Sequence, residues 1–213
     1  IASGTYNQGG TSTETNIKNY SHGLFQSVFD YPFLSSSANH IFDITVGYSN
    51  NSPLSSPANV QNLDKINIYN QMAQVLVGHD VTGGIREFDA DGDLTGGNKI
   101  QNAYFFNFSR LLQKDEIKKG SFVMEFGVQS DATGSYDGDP FEKRFMISDY
   151  SASSTFLTNS PAGEYAVLYA SASTDMAPGA VLAKDNVPVG LIYYQAGIAV
   201  LSGSIFGASA SAA

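Results

Sequence analysis

The chain has no cysteine and no tryptophan among its 213 residues. Without cysteine there is no disulfide framework, iron–sulfur cluster, thiolate zinc site or cysteine nucleophile. Charge is scarce as well: 15% of the residues are charged, against about 25% in an average soluble domain. Lys and Arg number 11 against 20 Asp and Glu, for a formal net charge of -9. With no basic patch, that balance argues against a nucleic-acid partner and against an anionic membrane surface. No stretch approaches the run of about 20 apolar residues that spans a bilayer, and no charged segment followed by an apolar run stands at the start. The three histidines, His22, His40 and His79, share no metal-ligand spacing, so a histidine site would need two of them to meet by folding.

Hydrophobic residues make up 42% of the chain, enough to bury a core in one domain. The residues 1–16, IASGTYNQGGTSTETN, are small and polar and predict an extended arm held by a neighbouring subunit. The start at Ile1 and the small-residue tail 207–213 lead us to expect part of something longer. Between them, residues 1–36 are expected to form the arm and an apolar strip, and 37–206 a single structural domain.

Strands are predicted at residues 41–48, 85–88, 104–108, 121–128, 141–148 and 164–170, from β-branched and aromatic runs bounded by turn residues. A hairpin is expected in 189–201, turning at Gln195-Ala-Gly197. Val60, Leu63, Ile66, Tyr69, Met72, Ala73 and Leu76 recur at helical spacing, predicting one long helix over about 60–77. The serine before Pro57 is its expected N-cap and Gly78 its C-terminal stop. The fold class that follows is α+β or mainly β, an antiparallel sheet packed on that helix with an extended N-terminal arm.

Asp89, Asp91 and Asp93 alternate on a Gly-containing loop and resemble the first half of an EF-hand calcium loop. Counted from Asp89, the sixth position is Leu94 instead of glycine and the twelfth is Ile100 instead of glutamate. An acidic solvent-exposed turn is therefore the preferred reading over a site for calcium or another hard cation, and no cofactor is expected. Asp137, Asp139 and Glu142 form a second acidic group, but spacing within a loop does not place carboxylates for acid–base work. No nucleophile elbow or phosphate-cradling loop is present. Leu24, Phe25, Phe29, Tyr31 and Phe33 form an apolar strip that the domain or a partner must cover, and these are the candidate interface residues.

Several longer phrases carry a resemblance: residues 40–49 (HIFDITVGYS), 65–78 (KINIYNQMAQVLVG), 107–121 (NFSRLLQKDEIKKGS), 159–165 (NSPAGEY) and 190–201 (GLIYYQAGIAVL). Together they resemble virion structural proteins of contractile-tailed marine bacteriophages, especially cyanophages, over most of residues 37–206. The resemblance implies a non-enzymatic component of the virion, packing against copies of itself and other virion proteins in a homo-oligomer or symmetric assembly. Baseplate, neck, tail and head surface all stay open. The residues also leave open a receptor- or glycan-binding module presenting the loops 89–97 and 130–139, and a hydrolase of envelope polysaccharide using Asp or Glu pairs.

Overall fold

The computed structural model describes residues 15–56, 59–109, 112, 116–128, 143–172 and 187–205. The strands are β1 (Ile17–Asn19), β2 (Gln26–Phe29), β3 (His40–Tyr48), β4 (Asn102–Asn107), β5 (Val123–Val128), β6 (Lys143–Ser148), β7 (Leu157–Ser160), β8 (Gly163–Ala172), β9 (Val187–Tyr193) and β10 (Ile198–Ser202). The helices are α1 (Val60–Leu76) and the single turn α2 (Ala152–Thr155). All strand pairings are antiparallel, in the order β1-β2-β3-β4-β10-β9-β8-β6-β5, with β7 pairing beside β6 on β8. A mostly antiparallel sheet with one main helix is the architecture expected from the pattern.

The central strands are apolar on both faces, which is why their sequences run without polar alternation. Phe106, Leu201, Ile192 and Leu168 belong to one buried cluster, while Phe105, Val200, Leu191 and Tyr165 belong to another. Phe106 on β4 and Phe126 on β5 lie five strands apart in the sheet order, yet their ring centroids are 6.0 Å apart. The sheet therefore coils around the first cluster, with Phe108 on Phe122 at 5.7 Å closing it further. Such coiling is the accumulated right-handed twist of a many-stranded sheet.

The helix covers the second cluster. Its buried stripe is Lys65, Tyr69, Ala73 and Leu76, whereas Val60 and Leu63 face solvent at 75% and 51% exposure. The helical period was legible but its rotation was not, because a glycine on the facing strand decides it. A Cβ at Gly47 of β3 would lie 2.8 Å from the Tyr69 backbone nitrogen and 2.9 Å from the Lys65 carbonyl oxygen. Only a bare backbone admits the helix this closely, and the approach turns Lys65 and Tyr69 inward. Burial lowers the Lys65 pKa, and its ammonium donates to the Gly23 carbonyl at 3.3 Å.

Several local expectations need correction. The N-cap is Asn59, whose side chain accepts from the Asn62 N–H at 2.9 Å; Pro57 lies outside the described residues. Ser52 instead caps a short 3₁₀ turn at Pro53–Ser55. Residues 85–88 form no named strand: Ile85 makes one isolated bridge to His79, and Phe88 is an anchor in the core. The connection before β8 contains α2 and β7, too short to leave a periodic signal. By contrast Gly78 does end the helix at φ 85°, and Tyr193 and Ile198 flank the expected hairpin turn.

The sheet also crosses the boundary drawn at residue 36, since β1 and β2 pair with each other and β2 with β3. Of the expected arm, residues 1–14 lie outside the described residues. Gly47→Val should force α1 off β3 and cost about 2–4 kcal/mol, as overpacking against rigid backbone does. Denaturant unfolding should show a lower midpoint with an unchanged slope; an unchanged midpoint would refute the close-approach account.

Candidate functional site

The acidic loop is held at its stem by one tyrosine. Tyr69 Oη donates to the Ile100 carbonyl at 2.7 Å and accepts from the Phe88 N–H at 3.2 Å. The Ile100 N–H donates to the Phe88 carbonyl at 2.9 Å, and Asp89 and Lys99 form a bridge one step further out. Phe88 is fully buried against Tyr69, Phe105 and Tyr193, with ring centroids 5.4, 5.6 and 6.4 Å away. Farther along the loop, Tyr165 Oη donates to the Gly92 carbonyl at 2.8 Å. Two tyrosines from the helix and the sheet thus fix an eleven-residue loop, 89–99, at both stem and tip. Burial pushes the phenol of Tyr69 well up and that of Tyr165 to about 12, so both stay protonated.

The stem dictates the state of Asp89. Chained to the buried Phe88, its carboxylate is itself 0% exposed. Oδ2 pairs with the Lys99 ammonium, while buried Oδ1 has no hydrogen-bond partner. Burial raises the Asp89 pKa; Lys99 opposes the rise and neighbouring Asp91 adds to it. Asp91 and Asp93 are exposed, and one carboxylate oxygen from each of the three residues lies within 4.8 Å of the others. The loop backbone is locally satisfied: the Thr95 N–H donates to Asp93 Oδ1 at 2.8 Å, and the Asp93 N–H to Asp91 Oδ1 at 3.3 Å. Leu94 has φ 64°, the one positive φ outside glycine among the described residues. Leu94, which stands where the calcium-loop pattern has glycine, thus adopts the left-handed backbone that glycine favours.

The five candidate interface residues make different local contacts. Phe25 packs on Tyr20 and His22 with centroids 4.9 and 5.0 Å apart, and Phe29 packs on Phe33 and His40 at 6.3 and 5.5 Å. Leu24 and Phe25 border a groove of about 310 Å³ against Ile44, Ile68, Met72 and Phe105. Tyr31 remains 61% exposed in the turn after β2, beside Leu34 at 89%. The histidines lie in separate local settings: the His22 ring accepts from the Leu24 N–H, the His40 ring pairs with Asp43 at 2.7 Å, and the His79 backbone bridges to Ile85. The loop 130–139, with Asp137, Asp139 and Glu142, lies outside the described residues.

Sequence reading missed a buried carboxylate at Asp149. It accepts from the Gly120 N–H at 2.7 Å, the Phe122 N–H at 2.8 Å and Tyr194 Oη at 2.8 Å. Nearby, Lys119 bridges Glu116 and Glu164 at 3.1 and 2.6 Å over the rings of Phe156 and Tyr194. The Lys119 pair lowers the Glu164 pKa, and the two hydrogen-bonded carboxylates raise that of Lys119. These bonds of Asp149 fasten the 116–122 turn to the sheet. An aspartate followed by Tyr150 carries no pattern that would have revealed this.

No family model, curated protein or solved structure matches the chain. Two substitutions test the site geometry. Tyr69→Phe should leave the Phe88 N–H unpaired and cost about 1–3 kcal/mol, with faster amide exchange through 88–100. Asp149→Ala removes the acceptor shared by the Gly120 and Phe122 N–H groups and the buried Tyr194 hydroxyl, and should cost about 3 kcal/mol, read as a lower thermal midpoint. Wild-type stability in either variant would contradict the assigned hydrogen bonds.

Proposed function

We propose that the chain is a non-enzymatic structural subunit of a phage virion, assembling through contacts with copies of itself and with other virion proteins. The single observation that carries the reading is the solvent-facing apolar pair in the turn after β2, Tyr31 and Leu34, on a chain with 15% charged residues. An exposed aromatic side chain three positions before an exposed leucine matches the composition of an interface core, where aromatics are enriched and charge is depleted. The phrases that resemble cyanophage virion proteins support the same reading from the sequence. Exposed Val60 and Leu63 at the start of α1 add neutral surface of the same kind.

Tight association places an anchor of this sort in a pocket of the neighbouring subunit, and truncating such anchors costs more than truncating the rim. The double substitution Tyr31→Lys with Leu34→Lys should leave the thermal midpoint within about 1 °C, because exposed positions contribute little to folding. Sedimentation velocity on the full chain should show wild-type oligomers and a monomeric double variant. A wild-type chain that stays monomeric at high concentration, or a double variant that assembles equally well, would overturn the reading.

A further inference from the structure

We propose that Asp89, Asp91 and Asp93 hold a hard divalent cation of calcium's size, with the unpartnered buried oxygen of Asp89 as its anchoring ligand. Calcium takes oxygen ligands at about 2.3–2.6 Å, so two oxygens on the same ion lie no more than about 5 Å apart. The three carboxylates already meet that condition, each offering an oxygen within 4.8 Å of the other two. The inference goes beyond the assembly reading and does not depend on it.

An acidic cluster alone does not make a site; the state of Asp89 does. Its Oδ1 is buried, accepts no hydrogen bond, and belongs to a residue with no solvent exposure. A buried carboxylate oxygen left in that state is costly, and a cation is one of the few groups that relieves it. A Cβ on Gly97 would sit 2.9 Å from Asp89 Oδ1 and 3.3 Å from Asp91 Oδ2. The bare glycine at φ 65° thus leaves both oxygens free of a side chain that would crowd them.

Charge agrees with a divalent ion. Residues 89–99 carry three carboxylates and one ammonium, that of Lys99 paired with Asp89, so the loop itself holds two more negative charges than positive ones. Exposure agrees with entry and exit: Asp91 and Asp93 face solvent, so water completes the coordination shell from outside while Asp89 binds from beneath. The tyrosine bonds at stem and tip hold the loop in position before any ion arrives. The twelfth position is the buried Ile100, so no bidentate glutamate closes the shell. Affinity should accordingly fall in the weak range of about 10⁻⁴–10⁻³ M.

The test is calcium chloride titrated into the full chain after chelator treatment, followed by calorimetry and by thermal unfolding. One equivalent should bind, and the unfolding midpoint should climb with calcium concentration as ligand linkage demands. Asp91→Asn and Asp93→Asn, both at exposed positions, should leave the metal-free midpoint near wild type and weaken binding at least about tenfold, the loss common on removing a metal-site group. Lys99→Met should lower the metal-free midpoint by exposing the Asp89 charge, yet bind calcium at least as tightly because a competing cation is gone. A loop whose work is only the Lys99–Asp89 ion pair would lose stability in that variant with no calcium response. Absence of binding up to about 10 mM, well above the weak range for such sites, would overturn the proposal. So would binding that Asp91→Asn and Asp93→Asn leave unchanged.

Discussion

The fold turns on the contact of a helix backbone with a strand that carries no side chain at the crossing. At Gly47 the helix comes within van der Waals distance of β3, and Tyr69 is thereby carried deep enough to hydrogen-bond both ends of a loop from the opposite side of the core. Phe88 packs beneath that tyrosine and fixes Asp89 next to it. A backbone distance in the sheet is in this way transmitted to the ionic state of a carboxylate on a surface loop. The cost of a buried charge is tolerated because its neighbours are rigid.

Period-two and helical patterns reveal element type well where a segment is long and apolar. β3, β4, β9, β10 and α1 were legible for that reason: each has enough β-branched, aromatic or helically spaced residues to overrule its flanks. β1, β2 and β7 were not, being three or four residues long and stabilised by what lies beside them. The rotation of α1 was hidden because it depends on one glycine located on another element. In the acidic loop, residue types were legible and so was the resemblance to a calcium loop. What the pattern concealed was that a leucine is held at positive φ and that one oxygen is both buried and unpaired, since both follow from the tertiary anchor at Phe88.

Two kinds of surface therefore coexist on the chain. One is neutral and apolar, with Tyr31, Leu34, Val60 and Leu63 projecting from different elements. The other is a compact acidic loop braced from inside by tyrosines. Burial against a neighbour suits the first, because removing neutral area from water carries little desolvation cost. The second would resist such burial unless its charge were neutralised, so the surface divides into parts suited to contact and a part suited to remaining wet.

Strand order carries a further consequence. β10 and β9 are inserted between β4 and β8, so among the described residues the hydrogen-bonded ladder from one end of the sheet to the other runs through this last hairpin. On the ribosome, β4 emerges with one edge unpaired and waits for a partner that is still unmade. At ~5–20 residues per second, the interval from Asn107 to Ile198 is roughly 5–20 seconds. An open edge flanked by Phe105 and Phe106 is a template for pairing with another nascent chain. An edge left open for that long favours pairing between chains over closure within one.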